Sequence, residues 1–258
     1  MTAIVTLLTD FGAADSYVAE VKGRLLLLAP GVTLVDVTHA IEPGDIGGAA
    51  FVLGRAWPVF PDGTVHLAVV DPGVGTARRA LAVQAGRHWF VGPDNGVLDS
   101  ALGVKGARVV GLEVPAGAAP TFHARDVFAP AAAALAEGTG LERLGVPVGD
   151  PVRLAIPEPR RQGAAIVGQV VYVDRFGTLV TNIPGQRIDR RGTVRVGPHD
   201  LVVHLTFAEA GAGEPLALVG SAGMLEIAVR DGRADAVLGL SRGAKVTAAA
   251  LPARKNER

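Results

Sequence analysis

Cysteine is absent from all 258 residues. That excludes a disulfide framework and a thiolate zinc site, and it fits a reducing compartment. An excess of one charge is also lacking: 25 basic residues balance 25 acidic ones. No basic stripe points to nucleic acid, and no acidic tail to a histone-like partner. Lysine is scarce, with 21 Arg against 4 Lys; this suits a heat-adapted or GC-rich source and decides neither. Apolar runs such as "GRLLLLAPGV" are far shorter than the roughly 20 residues that cross a bilayer. The opening "MTAIVTLLTDFG" has no basic segment and meets an acid at Asp10, so it does not read as a signal peptide. A cytoplasmic protein without nucleic-acid or membrane partners is expected. Internal repeats and low-complexity tracts are missing too.

Hydrophobic residues make up 49% of the chain and charged ones 19%, enough for a globular core. Over residues 1–150, short apolar runs alternate with helix-like segments. "AIVTLLT", "TLVDVTH", "TVHLAVVD", "RALAVQAG" and "HWFVGPDNG" read as strands. "SYVAEVKGRLLLLAP", "DIGGAAFVLGRAWPVFP" and "VFAPAAAALAEG" read as helices. This order predicts an α/β N-terminal domain with a mostly parallel sheet. Residues 151–163, rich in proline and charge, read as a linker. From 164 to 258 the runs are strand-like with glycine turns, predicting a small all-β barrel as C-terminal domain. The last residues, "PARKNER", read as a frayed tail.

Polar residues gather where the N-terminal strands end: Asp10, Asp71, and the "PDNG" that holds Asn95. Ligands of α/β sheets bind beyond such carboxyl ends. One acid there is ordinarily a turn or a cap; three in one sheet suggest a site. "TDFG" matches a kinase triplet, but no Gly-rich loop, strand Lys or His-Arg-Asp loop accompanies it. "DPGVG" lacks the Lys-Ser/Thr ending of a phosphate loop. In "VVDPGVGTARRA", Arg78 follows Asp71 by seven residues, where a returning strand could pair the two. That pair is either a plain salt bridge or part of a site. In "TFHARDVFAP", His123 suits proton transfer near neutral pH, while Asp126 reads as a helix cap. A metal site from Asp36, His39, Asp71 and His123 lacks a supporting ligand cluster. In the second half, Asp174, Arg175 and Thr178 could line a site or make a turn. Ser221 sits in a Gly-flanked bend, and Glu226 reads as a solvent-facing strand residue.

The ordered set "TDFG…DSYVAEVKG", "VDVTHAI", "FPDGTVHLAVVDPGVGTARR", "FVGPDNGVL", "TFHARDVFAP" and "VDRFGTLVTNI" resembles the S-adenosyl-L-methionine hydrolase family. That family is also called SAM hydroxide adenosyltransferase and is related to fluorinase and chlorinase. The resemblance runs from about Thr6 to Val229. It implies an α/β domain, a β-barrel domain, and a homotrimer with the nucleoside held at subunit interfaces. It implies catalytic roles for Asp71, Arg78 and His123, which would orient and activate water. Asp10 would hold the ribose hydroxyls. Phe122 and Phe176 would pack against the nucleoside, with Asn95 shaping the pocket. Asp174 and Ser221 would hold the amino-acid end, with Asp15 and Tyr17 nearby. The strand from Glu226 through Val229 would meet the adenine. No cofactor and no metal are implied, since S-adenosyl-L-methionine is the substrate.

Two positions depart from the family pattern. Thr178 stands where the turn usually carries Asn, and a hydroxyl cannot match both functions of an amide along an adenine edge. Ala222 stands where the fluorinase has Arg. The implied reaction is attack by water at ribose C5′, releasing adenosine and L-methionine. With Arg78 fixing Asp71 as an orienter, His123 is the expected proton acceptor. A halogenase is disfavoured because the Asp71 carboxylate would repel a halide. A non-catalytic nucleoside binder would return its ligand intact, and a metal-dependent hydrolase would be inactivated by a chelator.

Overall fold

The computed structural model describes residues 2–251. The tail expected to fray lies outside the described residues. The chain forms two compact units that divide between Leu154 and Ala155.

The first unit contains strands β1 (Ile4–Thr9), β2 (Thr33–Thr38), β3 (Val65–Val69), β4 (Ala80–Ala85), β5 (His88–Pro93), β6 (Arg108–Leu112) and β7 (Gly145–Pro147). Its helices are α1 (Tyr17–Leu28), α2 (Ile46–Ala56), α3 (Asp99–Leu102) and α4 (Ala129–Ala136). The sheet order is β2-β1-β3-β5-β4-β6-β7. The first four strands pair in parallel, while β4 and β7 run against their neighbours. Continuous burial of β3 suits a strand covered on both faces. The strand period of two sends adjacent side chains to opposite layers. Leu7 joins a core with Val21 and Leu25 of α1 and Ala132 of α4. Leu8 joins a second core with Leu53 of α2 and Leu98 before α3. Asp45 caps α2, its carboxylate accepting the Gly48 N–H at 2.9 Å.

The parallel strands bring their carboxyl ends to one edge, so Asp10, Asp71 and Asn95 follow β1, β3 and β5 there. The third expected helix begins differently from its sequence pattern. Residues Ala124–Phe128 form a π turn ahead of α4, closed by the Ala129 N–H on the Ala124 carbonyl. Asp126 therefore lies inside that turn and does not cap a helix. Its Oδ2 accepts the Ala119 N–H at 2.9 Å.

A buried imidazole pair occupies the opposite edge. His66 Nδ1 meets Thr6 Oγ1 at 2.8 Å, and its Nε2 meets His88 Nδ1 at 3.2 Å. Burial, then the neighbouring His88, pushes the His66 pKa down to about 3 from an ordinary 6.5. Unfolded His66 binds a proton below 6.5 while the folded ring stays neutral to about 3. The unfolding free energy is therefore expected to fall as pH drops through this window, by at most about 1.4 kcal/mol per unit. Urea titrations at pH 7, 6 and 5 check this; equal midpoints for wild type and His66→Gln across the series would exclude it.

The second unit is a barrel of β9 (Ala165–Val173), β10 (Leu179–Pro184), β11 (Thr193–Val196), β12 (His199–His204), β13 (Pro215–Val219), β14 (Met224–Val229) and β15 (Lys245–Ala249). The order β10-β14-β13-β12-β11-β15-β9 closes through β9–β10 pairing, with β8 (Arg160–Gln162) added outside β9. Ile166, Val170, Leu179, Val194, Leu225, Ile227 and Val246 fill the interior. A short helix, α5 (Ala234–Leu238), packs on β14. None of the described helices is long and apolar enough to cross a membrane.

Candidate active site

The carboxyl edge of the first unit opens into a cavity of about 600 Å³ lined by Asp10, Phe11, Tyr17, Asp71, Phe122 and His123, among others. Asp71 stands just beyond β3, and Arg78 just before β4, the strand that returns beside β5. Arg78 Nε donates to Asp71 Oδ1 at 2.8 Å, and Nη2 reaches Oδ2, making a bidentate pair. Their side chains are only 10% and 6% exposed. Two parallel bonds in such a dry place fix the carboxylate plane. Arg78 Nη2 also lies 3.0 Å from His123 Nδ1. Burial first, and then the Arg78 charge, hold the His123 pKa below its ordinary value.

A guanidinium is always a donor, so the nitrogen facing it must be an acceptor. His123 Nδ1 thus carries no proton while that contact lasts. The proton of the neutral ring resides on Nε2. Asp10 is set by the loop before α2, its Oδ2 accepting the Gly44 N–H at 2.9 Å. The rings of Phe11, Tyr17 and Phe122 meet edge-on, with centroids 5.5–6.1 Å apart. Arg125 stacks behind Phe122, its Cζ 4.9 Å from that ring's centroid. Asn95 is outside the cavity lining. Its Nδ2 donates to the Val70 carbonyl at 2.8 Å and its Oδ1 accepts from Val97, so it holds the backbone that leads into Asp71. Asp15 is exposed in the loop before α1 and is not part of the lining.

The second unit has its own groove of about 810 Å³, lined by Asp174, Phe176, Thr178, Ser221, Glu226 and Val229 among others. Asp174 Oδ1 accepts the N–H groups of Phe176 at 2.9 Å and Thr178 at 2.8 Å, which ties the turn. Gly177 sits at φ +82°, a conformation side chains resist. Phe176 is left 76% exposed at the rim. Glu226 faces this groove, its carboxylate filling the space where a Gly220 Cβ would stand. Glu226 thus points outward, opposite the buried Leu225 and Ile227, and is half-buried within the groove.

The candidate site residues expected from sequence thus fall on two grooves, one per unit, except Asn95, Asp15 and Arg78, the last of which stands behind the first groove, bonded to Asp71 and His123. Phe11, Pro43 and Gly44 of the first groove and Leu205, Thr206 and Phe207 of the second were not among them. Glycine and proline beside a strand end were the available signal for Gly44 and Pro43. Nothing local marks Leu205 or Phe207. Asp36 and His39 do not join Asp71: Lys22 bonds Asp36 at 2.6 Å, and Thr9 bonds His39 Nδ1 at 2.8 Å. Among the described residues, no three His, Asp or Glu side chains group as metal ligands.

An α/β unit with a fixed acid at its sheet edge, followed by a closed barrel with a polar groove, defines a two-domain protein with a candidate small-molecule groove in each unit. The chain belongs to the SAM hydroxide adenosyltransferase family: residues 5–145 match that family's N-terminal domain and residues 168–247 its C-terminal domain. An (R)-S-adenosyl-L-methionine hydrolase from Thermus thermophilus is 46% identical, covering 94% of this chain and 98% of its own. A fluorinase from an Actinoplanes species is 31% identical, with 87% and 90% covered. The crystal structure of an uncharacterized conserved protein from Thermotoga maritima superposes with a TM-score of 0.87 at 36% identity, covering 94% of this chain and 98% of that one.

Proposed function

We propose that the protein hydrolyses S-adenosyl-L-methionine to adenosine and L-methionine, without metal or cofactor. The observation that carries this reading is the desolvated Asp71–Arg78–His123 cluster in a cavity that also holds Asp10 and the aromatic rings. The relative named for (R)-S-adenosyl-L-methionine hydrolysis favours the same reaction and suggests that epimer.

In this reading a water oxygen attacks ribose C5′, the C5′–S bond breaks, and its electron pair stays on sulfur as neutral methionine. The sulfonium leaves without a general acid. The water proton passes to the Asp71 carboxylate and on to solvent. Holding the water in line contributes about 7–11 kcal/mol in favourable cases. His123 changes role relative to the sequence expectation: its acceptor nitrogen faces Arg78, so Nε2–H donates to the water and aims its lone pair. Asp10 takes the ribose hydroxyls, with Tyr17 and Phe122 beside the nucleoside, Asn95 beneath the site and Asp15 at its margin. Phe176, Thr178, Glu226 and Val229 belong to nucleoside binding, and Asp174 and Ser221 to the amino-acid end. A cytoplasmic homotrimer with sites at subunit interfaces completes the reading. Its support is the family resemblance together with the exposure of aromatic groove residues, Tyr17 at 48% and Phe176 at 76%.

Incubation with S-adenosyl-L-methionine in chloride-free buffer with chelator tests the proposal. Equal adenosine and methionine are expected. Intact substrate under conditions of demonstrable binding would leave a nucleoside binder, and loss of activity on chelation a metal enzyme. Because His123 is held below 6.5, kcat is expected to persist as pH falls to 6.5 and to decline only below it. A kcat that halves at a pH above 7 would contradict the neutral donor.

A further inference from the structure

We propose that Phe128 is a positioning residue, whose ring holds the Arg78 guanidinium in the orientation that serves Asp71 and His123 together. The proposal builds on the hydrolytic reading above. The Arg78 guanidinium bonds Asp71 through Nε and Nη2, lies against His123 through Nη2, and reaches the Arg79 carbonyl from Nη1 at 3.2 Å. All these donors lie in the plane of the group, so the hydrogen bonds leave its two faces uncovered. A flat surface against one face completes the restraint. Phe128 supplies it: Arg78 Cζ lies 5.2 Å from the centroid of its ring. Phe128 is 0% exposed, so the contact is desolvated. The ring is not part of the cavity lining, so it acts on the reaction through Arg78 and not by touching substrate.

The π turn explains how one short segment delivers both partners. His123 immediately precedes it and Phe128 is its last residue. In an α-helix, residues three and four apart share a face, whereas residues five apart do not. The wider turn, closed by a five-residue hydrogen bond, presents His123 and Phe128 to the same guanidinium. Such turns are rare and recur at functional sites.

Two full-length variants test the assignment. Phe128→Leu removes the ring. Pentafluorophenylalanine at 128 keeps a ring of similar size but reverses its attraction for a cation. In both, kcat is expected to fall about tenfold, the scale of a desolvated cation–π contact. KM should stay within about twofold, since ground-state contacts are untouched. Nitrogen NMR of His123 gives a second readout, because loosening Arg78 frees Nδ1 and mixes the tautomers. A fall with Phe128→Leu alone, or wild-type kcat and an unchanged imidazole spectrum in the fluorinated protein, would overturn the proposal in favour of plain core packing. If the wild type leaves S-adenosyl-L-methionine intact, the hydrolytic reading fails by itself. The imidazole spectrum of the fluorinated protein then still decides: mixed tautomers support the Phe128 contact, and a wild-type spectrum overturns it.

Discussion

Arg78→Met is expected to lower kcat by about a thousandfold, the scale seen when a charge-placing donor is removed from a dry site. The same substitution should cost about 3 kcal/mol of stability, because it strands the Asp71 carboxylate in a place only 6% exposed. Both effects come from one geometry. Arg78 spans Asp71 and His123, which lie 52 positions apart in the chain. Steady-state kinetics together with denaturant titration measure the two losses. If kcat survives while stability falls, Arg78 is a structural ion pair and the site must be sought elsewhere.

Asp71→Asn should lower kcat by about 10²–10⁴-fold, the usual contribution of a positioned base. The substitution preserves shape, yet an amide presents at most one acceptor to Arg78 and cannot take the proton from water. KM should change little, since Asp10 and the aromatic rings remain. Single-turnover experiments with saturating enzyme separate the two parameters. Near-normal turnover in both Asp71→Asn and His123→Ala would show that the cluster is not catalytic.

Much of this arrangement was legible in the residues, and for physical reasons. Buried parallel strands are continuous apolar runs, so β1, β3 and β5 announced themselves, and an acid after such a run marks the sheet edge. Asp71 and Arg78 are close in sequence, so their pairing could be anticipated. His123 could not be tied to them by spacing, because tertiary packing alone brings it there; the family resemblance supplied it. The π turn was hidden, since most of it, "ARD", precedes the apolar run that begins at Val127, and the extra residue leaves no periodic trace. β7 is three residues long and ends in proline, and β6, "RVVGL", is an edge-like run with one buried residue and a glycine, so neither carries a buried-strand pattern. Glu226 was expected to face outward, and its strand does point it that way, but the barrel's outer face carries a groove there, so it is half-buried.

The order of pairing in the barrel sets when it can exist. β15 sits between β11 and β9, and without it the ring of seven strands has a gap. During synthesis the earlier strands must therefore wait, with unpaired edges, until residue 249 has left the ribosome. The first unit needs nothing beyond β7 and can settle long before. A nascent chain stalled before Lys245 is accordingly a finished α/β half towing an open sheet, the kind of edge that templates aggregation and that chaperones shield.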